Sequence, residues 1–160
     1  MTIFVPKSPF GYTIFCDEIR QENNGKLIYI GVYTGEMLFY GPPPGVLPTF
    51  TAMVYYVERR EDKREPVSIK LFAPGILDAI GSADLNINAI NFSKPPSPIR
   101  EEEEPSDPIF GLRVPIRVAP MIVDQEGAFR VRAFKGGDVI RLGTLSVKFN
   151  HPLPAMPPAT

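Results

Sequence analysis

Cys16 and His151 are the only thiol and imidazole groups of the chain, since the sequence holds one Cys and one His. They stand near opposite ends. A structural zinc takes three or four Cys, His or acidic ligands clustered locally, so a zinc site within one chain is excluded, and a single Cys excludes an internal disulfide. A nucleophile–base pair would need His151, a carboxylate or a Lys as base. His151 stands beside Pro152 in a Pro-rich tail, a poor place to hold geometry. Cys16 follows Ile14 and Phe15 in a β-rich run and reads as a small buried hydrophobe. Asp17 and Glu18 are neighbours on a strand and point to opposite faces, so they form no paired-carboxylate site. Asp17 shares the face of Phe15 and Ile19. If buried there it needs a partner, Arg20 or backbone N–H groups, and it reads as a structural anchor. Residues 101–104 and 124–126 offer carboxylates without EF-hand spacing, and such charge runs are solvated faces. Gly136 and Gly137 read as a turn, and no Walker or dinucleotide pattern occurs. Neither catalytic, cofactor-binding nor metal-binding residues are expected.

Binding chemistry is better represented. Residues 109–149 hold seven Lys/Arg against three Asp/Glu, a net of +4. Arg113, Arg117, Arg130 and Arg132 alternate with apolar residues and so face outward. If their strands are neighbours they form one Arg stripe, a surface for an anionic partner or for the chain's own acidic loop. A pI near 5.9 disfavours nucleic acid, whose partners are usually basic. There are 17 aromatic residues and no Trp. Tyr33, Tyr40, Tyr55 and Tyr56 are the residues on which a sugar could stack. Pro152, Pro154, Pro157 and Pro158 make the tail polyproline-prone, with no internal hydrogen bonds to order it. Such a tail loses little entropy on docking. The tail and the arm over residues 1–10 are therefore expected to dock on neighbouring subunits.

The elements that must position these residues are strands. The chain has 160 residues with 44% apolar content, enough for one domain with a real core. Nineteen prolines and thirteen glycines make up one residue in five. Proline ends helices and is confined to edges and turns in sheets, so a helical bundle is excluded. The prolines cluster at 42–48, 95–108 and 152–158 and leave apolar runs between them. No apolar run reaches the ~20 residues of a membrane helix. Residues 1–6 lack the basic start and apolar run of a signal peptide. With one Cys, a cytoplasmic or virion location is expected rather than secretion.

Residues 12–20 and 27–33 are β-rich and flank Asn23-Asn24-Gly25-Lys26, a tight hairpin turn. Residues 36–40 continue the second strand past a bulge near Gly35. Residues 50–58 form a long apolar strand, and the mixed charges at 59–65 read as a solvated hairpin tip. Val67, Ile69 and Leu71 share a face. Residues 76–81 suit one helical turn, and 85–92 a weaker strand. Residues 93–108, with a net charge of −3, form a long polar loop rather than a linker. The roughly fifty residues beyond it are too few for a core of their own. Phe110, Leu112, Val114, Ile116 and Val118 share one face of the next strand, and Pro115 places that strand at an edge. Phe129, Val131 and Ala133 then face inward, Lys135-Gly136-Gly137-Asp138 turns, and Leu145, Val147 and Phe149 face inward on the last strand.

Seven or eight strands at this spacing predict an all-β, antiparallel β-sandwich over residues 11–149, with an arm at 1–10 and a tail at 150–160. Cys16-Asp17-Glu18-Ile19-Arg20, the turn at 24–26 and Ile30-Gly31-Val32-Tyr33 resemble the opening of a family of small uncharacterised bacterial and phage proteins. Glu126-Gly127-Ala128-Phe129-Arg130-Val131-Arg132, the Gly136-Gly137-Asp138 turn and Leu145-Ser146-Val147 resemble the closing hairpin of immunoglobulin-like sandwiches. The two resemblances cover about 45 residues and imply an immunoglobulin-like fold. Sandwiches host many roles, so function rests on the residues. They predict a non-enzymatic protein acting in protein–protein assembly, as a structural component of a phage particle. The alternative is a monomeric binding module for a glycan or an anionic partner.

Overall fold

A computed structural model describes residues 7–59, 62–87 and 109–150. These form twelve strands: β1 (Phe10–Cys16), β2 (Glu18–Gln21), β3 (Leu27–Ile30), β4 (Glu36–Tyr40), β5 (Gly45–Leu47), β6 (Phe50–Arg59), β7 (Val67–Phe72), β8 (Gly81–Leu85), β9 (Ile109–Val118), β10 (Met121–Val123), β11 (Gly127–Lys135) and β12 (Asp138–Asn150). A three-stranded sheet, β1-β6-β9, faces a five-stranded sheet, β4-β12-β11-β7-β8. Two short ribbons, β2-β3 and β10-β5, complete the fold. The strand number exceeds the seven or eight expected because the run at 12–20 divides into β1 and β2, β4 is a strand of its own, and the three-residue β5 and β10 are too short to stand out as apolar runs.

The core lies between the two larger sheets and follows from period-two alternation. Phe50, Ala52, Val54 and Tyr56 of β6 meet Phe129, Val131 and Ala133 of β11, with Val67, Ile69 and Leu71 of β7 beside them. Phe50 and Phe129 touch across the gap with ring centroids 4.5 Å apart. Leu145, Val147 and Phe149 of β12 point inward as their alternation requires. Among the described residues β9 pairs only with β6, so the strand carrying Pro115 is an edge strand of that sheet.

The hairpin at 23–26 forms and joins β2 to β3. Gly25 has φ +83°, and the Lys26 N–H donates to Asn24 Oδ1 at 3.0 Å. β12 is long enough to serve two neighbours. Its second half pairs with β4, and near its middle the Thr13 hydroxyl of β1 donates to the Leu142 carbonyl at 3.0 Å. Gly143 permits that approach, because a Cβ there would lie 2.8 Å from Thr13 Cβ.

Four expectations are corrected. β4 does not extend β3: it crosses to the other sheet and pairs parallel with β12, so the sandwich is not wholly antiparallel. Its inward Met37 and Phe39 pack into the main core, which the ribbon could not provide. β6 and β7 lie in different sheets, so the charged stretch between them is a crossover rather than a hairpin tip. Asp62 there accepts hydrogen bonds from the Ser8 hydroxyl and from the Arg59 N–H at 3.0 Å. No helical turn forms over 76–81: the Ile80 N–H donates to the Leu71 carbonyl at 2.8 Å and leads the chain into β8. β8 ends at Leu85, ahead of the strand expected over 85–92, of which residues 88–92 lie outside the described residues. No helix of the described residues is long and apolar enough to cross a membrane.

Candidate partner-binding site

The four arginines do not form one stripe. Arg113 and Arg117 project from β9, on the outside of the three-stranded sheet. Arg130 and Arg132 project from β11, on the outside of the five-stranded sheet. The strands β9 and β11 belong to different layers, so period-two alternation sends the two pairs to opposite sides of the sandwich. Pro152, Pro154, Pro157 and Pro158 lie outside the described residues, as does the acidic loop at 93–108.

The pair on β11 gains cations that alternation alone does not locate. Lys70 of β7 stands opposite Arg132, and Arg141 of β12 stands opposite Arg132 from the other side. Three positive side chains thus form one lateral row across three strands. Arg130 lies two residues along β11, opposite Phe72. Its guanidinium carbon sits 5.9 Å from the Phe72 ring centroid, and Lys70 Nζ sits 5.3 Å from that of Phe134. The two rings meet edge-on with centroids 6.5 Å apart. Phe72, Leu77, Arg130, Arg132 and Phe134 line an open groove of about 210 Å³. Leu77, 91% exposed, stands at its rim.

The row is electrostatically unfavourable by itself. Like charges directly opposite each other on adjacent strands destabilise a sheet. Arg132 shows the effect: burial first, then the charges of Arg141 and Arg130, push its pKa down. Its Nη1 donates to the Val131 carbonyl at 3.0 Å. Among the described residues, no carboxylate forms an ion pair with Lys70, Arg130, Arg132 or Arg141. Lys70 was legible as the outward neighbour of Ile69 and Leu71. That β7 pairs with β11 was not legible.

A second polar cluster lies inside the fold. Glu58 is fully buried at the end of β6, and its Oε1 accepts from Lys135 Nζ at 2.7 Å and from the Tyr56 hydroxyl. Its Oε2 has no hydrogen-bond partner among the described residues. Burial, then the bond to Glu58 and its charge, push the Tyr56 hydroxyl pKa up. The arrangement holds the Glu58 carboxyl between the Lys135 amine and the Tyr56 phenol. Alternation held the signal: Glu58 continues the inward face of Val54 and Tyr56, and Lys135 that of Val131 and Ala133.

Cys16 is buried, and its thiol is pushed up to about 11 by burial and then by the Asp17 charge. It is therefore protonated at neutral pH and a weak nucleophile. Asp17 is partly buried, and its partner is Tyr33, whose hydroxyl donates to Oδ1 at 2.5 Å, rather than Arg20. Arg20 pairs with Glu18 at 3.3 Å on the exposed face of β2.

The tyrosines considered for sugar stacking do not converge. Tyr56 is buried and Tyr33 is held by Asp17. Tyr55 stacks on Tyr12 with centroids 4.7 Å apart and shares a hydrogen bond with Tyr29. Tyr40 stands 83% exposed on β4. No group of three or more His, Cys, Asp and Glu among the described residues is arranged to hold a metal ion. In comparisons with known proteins, no family model, no curated protein and no solved structure matches the chain.

Proposed function

We propose that this chain is a non-enzymatic β-sandwich that acts in protein–protein assembly by associating with further copies of itself, as a structural component of a phage particle or a similar assembly. The observation that carries the reading is the edge of the five-stranded sheet. Among the described residues β4 pairs on one side only, with β12, and it presents Leu38 and Tyr40 exposed. An open edge strand with apolar side chains is a template for pairing with another chain unless it is blunted. A second apolar pair, Val46 and Ile122, sits exposed and in register on the β5-β10 ribbon. The phage setting rests on the resemblance of the opening segment. The immunoglobulin-like type of the sandwich is supported by the closing hairpin, where β11 turns into β12 at Gly136 and Gly137.

Molar mass by light scattering on a sizing column tests the proposal. Tyr40→Lys should lower the mass of the assembled species, as should deletion of residues 151–160. An assembly unchanged by both variants overturns it. A second reading, a binding module for an anionic partner, is favoured by the row of Lys70, Arg132 and Arg141, which has no carboxylate ion-pair partner among the described residues.

A further inference from the structure

We propose that the groove over the outer face of the five-stranded sheet binds an acidic peptide segment of a partner protein, laid across β7, β11 and β12 with its carboxylates on Lys70, Arg130, Arg132 and Arg141. This inference rests on the second reading above and names its ligand. Three like charges stand in one row across adjacent strands, a local conflict of the kind that marks functional surfaces. The fold carries that repulsion with no carboxylate partner among the described residues. An incoming anion would relieve it and return the Arg132 pKa toward its ordinary value.

The geometry selects a peptide over a nucleic acid. Phe72 and Phe134 would be the stacking platforms for bases, but Arg130 already lies over the first ring and Lys70 over the second. The whole chain carries a net charge of −1, so a long polyanion gains no general attraction. Neighbouring strands lie about 4.8 Å apart, so the row from Lys70 to Arg141 spans roughly 10 Å. Alternate side chains of an extended peptide repeat at about 6.8 Å, so two or three carboxylates can reach the row at once. Guanidinium groups bind carboxylates through paired hydrogen bonds. Leu77 at the rim offers the apolar contact an amphipathic acidic segment would use.

The test is a titration of the full chain with a fluorescein-labelled synthetic peptide of alternating Glu and Leu at low salt. A single-stranded oligodeoxynucleotide and heparin serve as rival anions. The same titrations are run on a variant carrying Gln at positions 101–104, so that the chain's own acidic run cannot compete. The expected result is peptide binding that weakens as salt rises. Arg132→Gln and Arg141→Gln should each weaken it about fivefold or more, and Arg113→Gln on the opposite sheet should leave it unchanged. Arg141 is exposed, so its variant reports on binding without disturbing the fold. Stronger binding of the oligonucleotide or heparin than of the peptide overturns the acidic-peptide assignment while keeping an anionic partner. No binding of any anion by either protein overturns both.

Discussion

Replacing Lys135 by Met should destabilise the fold more than any surface change. Glu58 is fully buried, and Lys135 supplies a positive charge hydrogen-bonded to it. Among the described residues its Oε2 has no hydrogen-bond partner, so removing the ammonium leaves a buried carboxylate held there by the Tyr56 hydroxyl alone. Breaking a buried ion pair by deleting one partner costs about 3–5 kcal/mol. Domains are stable by only ~5–15 kcal/mol in total. Urea unfolding has a slope of about 2 kcal/mol per M for a domain of this size, so the midpoint should fall by about 2 M. The double variant Glu58→Leu with Lys135→Met removes the charge as well as its partner. It should recover much of the loss, because an apolar replacement of a buried pair is often neutral. A Lys135→Met midpoint within about 0.5 M of the parent would refute the reasoning, as would a double variant less stable than the single one.

Further outcomes follow from other sites. Cys16 is pushed up from 9.0 to about 11, so as pH rises the unfolded chain loses this proton first. The stability it contributes is intact below pH about 9 and declines between about 9 and 11, by roughly 2–3 kcal/mol at 1.36 kcal/mol per unit. Urea midpoints across that range should fall for the parent and fall less for Cys16→Ala. The raised tyrosines Tyr29, Tyr33 and Tyr56 act in the same direction at higher pH. A thiol reagent at neutral pH should label Cys16 in urea and spare it in the native protein; equal labelling would contradict its burial. Arg141→Glu should turn a repulsive cross-strand pair with Arg132 into an attractive one and raise stability by about 0.2–1 kcal/mol in thermal or urea unfolding. Lys148→Gln removes an exposed, solvent-screened ion pair with Glu36, 2.5 Å long, and should leave the urea midpoint unchanged; a clear drop would contradict that screening.

Alternation made much of the sandwich legible. The inward faces of β9, β11 and β12, the turn at Gly25 and the edge position of the strand with Pro115 all follow from local rules. What local rules do not encode is which strand lies beside which. The pairing of β4 with β12 and the crossover from β6 to β7 depend on contacts across the whole chain. For the same reason alternation leaves open whether the arginines share one stripe, and with β9 and β11 in different sheets they stand on opposite faces. Glu58 and Lys135 show a different gap: their period placed them inward, but their charge argued for the surface. Only their mutual proximity, 77 positions apart in sequence, reconciles the two.

Self-assembly would show in the molar mass of the full chain, measured by light scattering over a wide range of concentrations. The expected result is a species that is a multiple of 17.8 kDa and grows or persists as concentration rises. A single species of 17.8 kDa at every concentration would contradict it.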